Sequence, residues 1–87
     1  MSDWNFELTK QAQKNINELD NSPKERVLKK LRWFTNNFDE LSPLPLSGKW
    51  KGFFKYRIGD YRVIYEVEQE NKKIVIHVVG HRKEVYD

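Results

Sequence analysis

Positively charged side chains that could bind an anion are concentrated between residues 49 and 62 of this 87-residue chain. The segment contains a single anion, Asp60, and five cations: Lys49, Lys51, Lys55, Arg57 and Arg62. Five cations and one anion give this segment a net charge of +4, whereas the whole chain has a formal net charge of only +3. The excess of positive charge is therefore local rather than spread over the protein. A local excess of cations interleaved with aromatic residues is typical of a surface that binds nucleic acid.

Length and composition limit the classes of protein to which the chain can belong. Residues 1–87 suffice for one domain with one compact core. The chain has no cysteine, which excludes disulfides and cysteine-based metal sites, and its two histidines are too few to predict a metal centre. No apolar segment approaches the ~18 residues of a membrane span, and the N-terminus lacks a signal peptide. We therefore predict a cytoplasmic protein with no membrane association, metal or cofactor.

The first half of the chain predicts a strand followed by two helices. Alternating apolar and polar residues over Asp3–Leu8 predict a short half-buried strand. Thr9 then caps a helix over residues 10–20. A Ser-Pro-Lys-Glu capping box at residues 22–25, with its serine as N-cap, starts a second helix that runs to about Asn36. The apolar stripe of this helix consists of Val27, Leu28, Leu31 and Phe34.

The second half of the chain predicts three strands. Two prolines make residues 39–47 a loop. The cationic segment Lys49–Tyr65 then predicts a β-hairpin with its turn at Gly59-Asp60. A polar turn over Glu68–Lys73 leads to a β-branched strand over Lys73–Val79. Gly80 then allows a change of direction.

The order β-α-α-β-β-β predicts an α+β domain, in which a helical hairpin covers one face of a mostly antiparallel sheet. Strand alternation places Lys55, Arg57 and Arg62 on the uncovered face. His77 and His81 share one strand parity, so both are expected on one face of the sheet. The aromatic residues expected in the core are Trp4, Trp33, Trp50, Tyr61 and Tyr65.

Two motifs carry a resemblance to a known family. They are W-K-G-F-F-K-Y-R-I-G-D-Y-R-V-I-Y over residues 50–65 and G-H-R-K-E-V-Y over residues 80–86. In this order and at this length, the chain resembles the RelE/ParE superfamily of toxins from bacterial and archaeal type II toxin–antitoxin modules. The resemblance implies a RelE-like fold and a cognate antitoxin whose flexible segment wraps the toxin. RelE-like members are ribonucleases that cut mRNA in the ribosomal decoding site, whereas ParE-like members poison DNA gyrase.

The resemblance to RelE-like members assigns candidate catalytic residues one at a time. Lys55 falls on a strand lysine proposed as general base, and Arg62 falls on the arginine after the turn. Arg82 and Tyr86 fall on an arginine and a tyrosine of the closing motif. A second strand lysine of some members is replaced here by Phe53. The candidate RNA-binding residues are Lys49, Lys51, Arg57, His81 and Lys83, and Lys51 is a possible substitute for the missing lysine.

These residue types suit the cleavage of RNA. A 2′-hydroxyl can attack the adjacent phosphodiester when a base, cations and an acid assist it. Lys55 is a base only in its neutral form, which neighbouring cations favour, and is otherwise a solvated lysine. Arg62 either holds the scissile phosphate or forms a salt bridge with Glu66 or Glu84. Arg82 would stabilise the phosphorane or the leaving group, and His81 is chemically a better proton donor than Arg82. Tyr86 either contacts RNA or lies against the sheet.

Three functions follow from the resemblance. The first is a metal-independent endoribonuclease that cleaves mRNA, presented by the ribosome because an 87-residue chain offers little surface for RNA recognition. The second is a binding module that inhibits DNA gyrase. The third is a catalytically inactive homologue that binds only its antitoxin. The set Lys55, Arg62, Arg82 and Tyr86 favours the first.

Overall fold

The computed structural model describes residues 3–81, in which two helices cover one face of a five-stranded sheet. The strands are β1 (Asn5–Leu8), β2 (Leu44–Pro45), β3 (Phe54–Ile58), β4 (Tyr61–Glu68) and β5 (Lys73–His81), and the helices are α1 (Lys10–Asn17) and α2 (Asn21–Asn36). The strand order is β1-β5-β4-β3-β2. Within this part of the chain β1 and β5 are parallel and the other neighbours are antiparallel. The predicted α+β architecture is confirmed.

Apolar side chains of both helices and of the sheet form the core. The predicted stripe of α2 is confirmed, since Val27, Leu31 and Phe34 are buried and Leu28 is half-buried. The Phe34 ring stacks on Tyr56 of β3 with 4.1 Å between ring centroids. It also meets Tyr65 of β4 edge-to-face at 5.1 Å. These aromatic contacts fasten α2 to the inner face of the sheet, the face that the helices cover.

The predicted aromatic core is right in part. Trp4 and Tyr65 are buried in the core, and Tyr61 packs against it. Trp33 is 46% exposed, and its ring lies beneath Lys30 Nζ at 4.9 Å. Trp50 is half-buried and contacts Phe53 instead of the main core. The assignment of Trp33 and Trp50 to the core is therefore wrong.

The helix boundaries differ from the prediction at the connection between α1 and α2. The first helix ends at Asn17, and the N-cap of the second is Asp20 rather than Ser22. The predicted capping box is wrong, since Ser22 lies inside the first turn and is exposed. The helix can start before Pro23 because the first N–H groups of a helix have no intrahelical partners. A proline in this turn therefore costs no hydrogen bond.

The loop predicted over residues 39–47 contains a short strand. In β2, Leu44 pairs with Lys55 and Pro45 pairs with Phe54. A proline is tolerated there because β2 is an edge strand, where one row of N–H groups needs no partner. The hairpin turn at Gly59-Asp60 is confirmed, but its first strand begins only at Phe54, after a 3₁₀ turn over Gly48–Trp50.

A β-bulge in β5 separates the two histidines. Ile64 pairs with Val78 and Tyr65 pairs with Ile76, so His77 is an extra residue without a directly opposite partner. A bulge shifts the alternation of side chains by one position. His77 therefore contacts Glu66 on the open face of the sheet, opposite the helices, whereas His81 lies beside Tyr61 on the inner face. The expectation that both histidines share a face is wrong. Strand β5 also continues through Gly80 to His81 instead of turning at Gly80.

Within residues 3–81, neither α1 nor α2 has the length and apolarity needed to span a membrane.

Replacement of the first helix cap should destabilise the protein, whereas replacement of the incorrectly predicted second cap should not. The Thr9 hydroxyl accepts a hydrogen bond from Ala12 N at 3.1 Å and donates one to His77 O at 3.3 Å. Thr9→Ala should therefore lower the free energy of unfolding by about 1–2 kcal/mol in urea denaturation. Ser22→Ala should stay within about 0.5 kcal/mol of the wild type. An equal loss for both variants would contradict this assignment of the caps.

Stability should fall in alkali because of buried tyrosines. Burial raises the pKa of Tyr65 from 10.0 to about 12, and neighbouring Tyr56 adds to the shift. The unfolded chain ionises first, so the stability present below pH 10 should be lost as the pH rises toward 12, on the order of 2 kcal/mol. The free energy of unfolding of Tyr65→Phe should fall less over this interval in parallel denaturation series. An equally steep fall would contradict the role of Tyr65.

Candidate nucleic-acid site

A cationic cleft lies on the open face near the β2 edge of the sheet. Its cavity has a volume of about 190 Å³. Among residues 3–81, the lining residues are Leu44, Lys55, Tyr56, Arg57 and Arg62. The structure thus brings together three of the cations predicted to act on RNA.

Strand pleating explains why these three cations share one face. Tyr56 and Ile58 of β3 point into the core, so the alternate residues Lys55 and Arg57 point away from it. Arg57 lies directly opposite Arg62 in the β3–β4 pair, and Lys55 lies opposite Ile64. Directly opposite residues have Cβ atoms about 4.5–5.5 Å apart, so the two arginines are close neighbours.

Arg57 and Arg62 place two positive charges directly opposite one another in the β3–β4 pair. Like charges directly opposite one another destabilise a strand pair. An anion between the two guanidinium groups would reverse the sign of the interaction, because each group can bind a phosphate through two parallel hydrogen bonds. The Arg57 Nε also donates to Gly59 O at 3.4 Å, which ties this side chain to the hairpin turn. The cleft therefore has the charge and the donor types of a phosphate site.

Two ion pairs lie at the other side of the sheet. Lys72 pairs with Asp3 at 3.5 Å and Lys73 pairs with Glu7 at 3.7 Å, both where β1 meets β5. Glu66, one of the glutamates expected to pair with Arg62, has its Oε1 2.8 Å from His77 Nε2. Carboxylates thus lie beside lysines at the β1 edge, whereas three of the described residues that line the cleft are cations.

The remaining predicted RNA-binding residues are not all in the cleft. Lys49 and Lys51 are exposed in the turns that precede β3, so neither shares the strand alternation of Lys55. His81 lies on the inner face, where its ring is 5.7 Å from that of Tyr61. It lines a separate cavity of about 400 Å³ together with Asn15, Glu18 and Leu19. Arg82, Lys83 and Tyr86 lie outside the described residues.

Sequence reasoning missed a second feature of the open face. Trp50, Phe53 and His77 form a continuous set of rings beside the cleft, called the aromatic array below. The shared parity of Phe53 and Lys55 was a usable signal, since it already placed Phe53 on the open face. The position of His77 depends on the bulge in β5, for which the sequence gives no signal.

Residues 3–81 contain no cluster of three or more histidine, aspartate or glutamate side chains that could hold a metal ion.

Comparisons with known proteins place this geometry in a family. A sequence model of the family described as the ParE toxin of type II toxin–antitoxin systems, parDE, matches residues 6–86. No protein with a curated description matches the chain significantly.

Solved structures share the fold. A chain of the toxin–antitoxin complex RelBE2 from Mycobacterium tuberculosis superposes with a TM-score of 0.80 at 24% identity, covering 91% of this chain and 98% of that one. The isolated RelE toxin of E. coli superposes with a TM-score of 0.72 at 21% identity, with coverages of 90% and 83%. YafQ from E. coli strain BL21(DE3) gives a TM-score of 0.67 at 16% identity, with coverages of 97% and 99%. At these identities the similarity establishes the fold alone.

Replacing Arg57 by glutamine should stabilise the free protein and weaken its binding of polyanions. At low salt the free energy of unfolding should rise by about 0.2–1 kcal/mol, because the repulsion from Arg62 is removed. The affinity for a single-stranded oligonucleotide should fall, and its logarithmic salt dependence should become less steep by about 0.7. Arg26→Gln removes the same charge from an exposed position of α2. It should change the free energy of unfolding and the affinity for the oligonucleotide much less. A destabilised Arg57→Gln variant with unchanged oligonucleotide binding would contradict the cleft as an anion site.

Proposed function

We propose that this chain, which belongs to the ParE toxin family of type II toxin–antitoxin systems within the RelE/ParE superfamily, is a RelE-type endoribonuclease. It cleaves mRNA, presented by the ribosome, without a metal ion. The observation that carries this proposal is the cleft that joins Lys55, Arg57 and Arg62 on one open face. Such a cleft supplies a base and paired phosphate ligands for a substrate that contains its own nucleophile.

The reaction is a transfer of the phosphoryl group within the RNA. The Lys55 amine takes the proton of the 2′-hydroxyl as the 2′-oxygen forms a bond to phosphorus. The bond from phosphorus to the 5′-oxygen breaks, and this oxygen takes a proton from water or Tyr86. The products are a 2′,3′-cyclic phosphate and a 5′-hydroxyl end. Arg57 and Arg62 hold the phosphate and stabilise the charge that develops on its oxygens.

The C-terminal segment completes the proposed site. Arg82 is assigned to the phosphorane and Tyr86 to the RNA, as the closing motif suggests. Lys49, Lys51 and Lys83 supply contacts to the flanking phosphates. His81, at the inner face of β5, is a weaker candidate for the acid than the sequence suggested.

The proposed partner is a small antitoxin encoded with the toxin. The solved structures that resemble this chain include a toxin–antitoxin complex, which supports such a partner. An antitoxin segment that covers the cationic cleft would exclude RNA from it. Carboxylates in that segment would also remove the repulsion between Arg57 and Arg62.

Inhibition of DNA gyrase is the second candidate function. The matching family is named for ParE, which favours this alternative. A gyrase inhibitor needs a binding surface rather than a base, so substitution of Lys55 should then matter little. A homologue that only binds its antitoxin is the third alternative.

One experiment separates these functions. The chain is expressed without antitoxin, mRNA ends are mapped, and gyrase supercoiling is assayed in parallel. Cuts in phase with codons should appear for the wild type and should decrease by about 100-fold or more in Arg62→Ala, because a ligand of the transition-state charge is lost. Lys55→Ala and Arg82→Ala should also strongly decrease the cuts. Arg26→Ala, which removes a charge from an exposed position of α2, should cut mRNA normally.

Each alternative predicts a different outcome. Intact mRNA together with trapped gyrase–DNA complexes would contradict the assignment as a ribonuclease and support the assignment as a gyrase inhibitor. Intact mRNA with normal supercoiling would support the inactive homologue. Codon-phased cuts that persist in Arg62→Ala would place the catalytic site outside the cleft.

A further inference from the structure

The aromatic array has no role in the cleavage chemistry, yet it lies beside the cleft. The Trp50 and Phe53 rings meet at 80° with 5.4 Å between centroids, and Phe53 meets His77 at 82° and 4.9 Å. All three side chains are half-buried. Among residues 3–81, Trp50 and His77 each contact one other ring, so each keeps at least one face that no other ring covers.

Hydrogen bonds hold the array in place. Phe53 N donates to Trp50 O and Phe53 O accepts from Leu46 N, both at 3.0 Å. His77 is fixed at its ring by Glu66 and at its carbonyl by the Thr9 hydroxyl. Rings that are already ordered lose little conformational entropy when a flat ligand stacks on them, which favours binding.

The array and the cleft lie close together on the same face of the sheet. Phe53 precedes Lys55 by two residues, about 7 Å in an extended chain, a distance that one nucleotide can bridge from its base to its phosphate. Ile64 lies opposite Lys55 and is only 1% exposed. It stands between Arg62, which lines the cleft, and Glu66, which contacts the array.

We propose that the aromatic array is a nucleobase-binding platform, on which a base stacks while the adjoining phosphate occupies the cationic cleft. The inference rests on the proposed action on RNA and adds a second subsite to it. Stacking needs a base that is unpaired and turned out of its own strand, so the ligand is single-stranded. The Glu66 carboxylate repels phosphate from the array, so the surface imposes a direction on the nucleotide. Stacking is tolerant of base identity, so this platform binds bases without selecting a sequence.

The platform can be tested with RNA that cannot be cleaved. The probe is a fully 2′-O-methylated single-stranded hexanucleotide, and its partner is the same oligonucleotide without bases. At low salt the wild type should bind the intact probe on the order of tenfold more tightly by fluorescence anisotropy. Phe53→Leu and Trp50→Leu, each checked for folding by circular dichroism, should lose this preference and keep the salt dependence. Trp33→Leu, which removes an exposed tryptophan from α2, should retain the preference.

Arg62→Ala provides the converse pattern. It should weaken the binding of both oligonucleotides and reduce their salt dependence while the preference for bases remains. Equal wild-type affinity for the two probes would overturn the platform, as would the absence of binding to either. Retention of the preference in both Phe53→Leu and Trp50→Leu would also overturn it.

The test is independent of cleavage. If the protein prefers the intact probe but leaves cellular mRNA uncut, the platform is supported and the ribonuclease assignment is contradicted. If the protein cuts mRNA but binds both probes equally, the ribonuclease assignment is supported and the platform is contradicted.

Discussion

The packing of Phe34 against Tyr56 and Tyr65 determines the orientation of the sheet. These rings join α2 to β3 and β4 across the inner face. Because side chains alternate along a strand, an inward Tyr56 requires an outward Lys55 and Arg57. A slip of one residue in β3 would bury both cations and expose the tyrosine. The aromatic core therefore stabilises the fold and also presents the cationic cleft.

Much of this arrangement could be predicted from the sequence, because it depends on local patterns. The stripe of α2 and the turn at Gly59-Asp60 have strong periodic or turn signals, and they fix the face on which Lys55 lies. The two-residue strand β2 could not be predicted, because its proline argues against a strand and only pairing with β3 overrides that signal. The bulge at His77 depends on the alignment of β4 with β5, so a count along one strand put His81 on the wrong face.

The open face has one feature that lowers the stability of the fold and another that raises it. Opposed Arg57 and Arg62 repel each other, whereas the aromatic array and Ile64 add buried apolar surface a few residues away. A small domain has little stability to spare, so repulsion of this kind is tolerated only where the rest of the sheet compensates. Functional surfaces of proteins commonly carry such a cost in stability.

The edge strand β2 also affects how separate molecules meet. An edge with unpaired N–H and C=O groups can extend into a neighbouring molecule and start aggregation. Here the edge is two residues long and one of them is Pro45, so it offers little to a further strand, although Leu44 is 55% exposed. Several copies attracted to one polyanion through their clefts would meet near these edges. The proline then lets the copies crowd along the polyanion without joining into a continuous sheet.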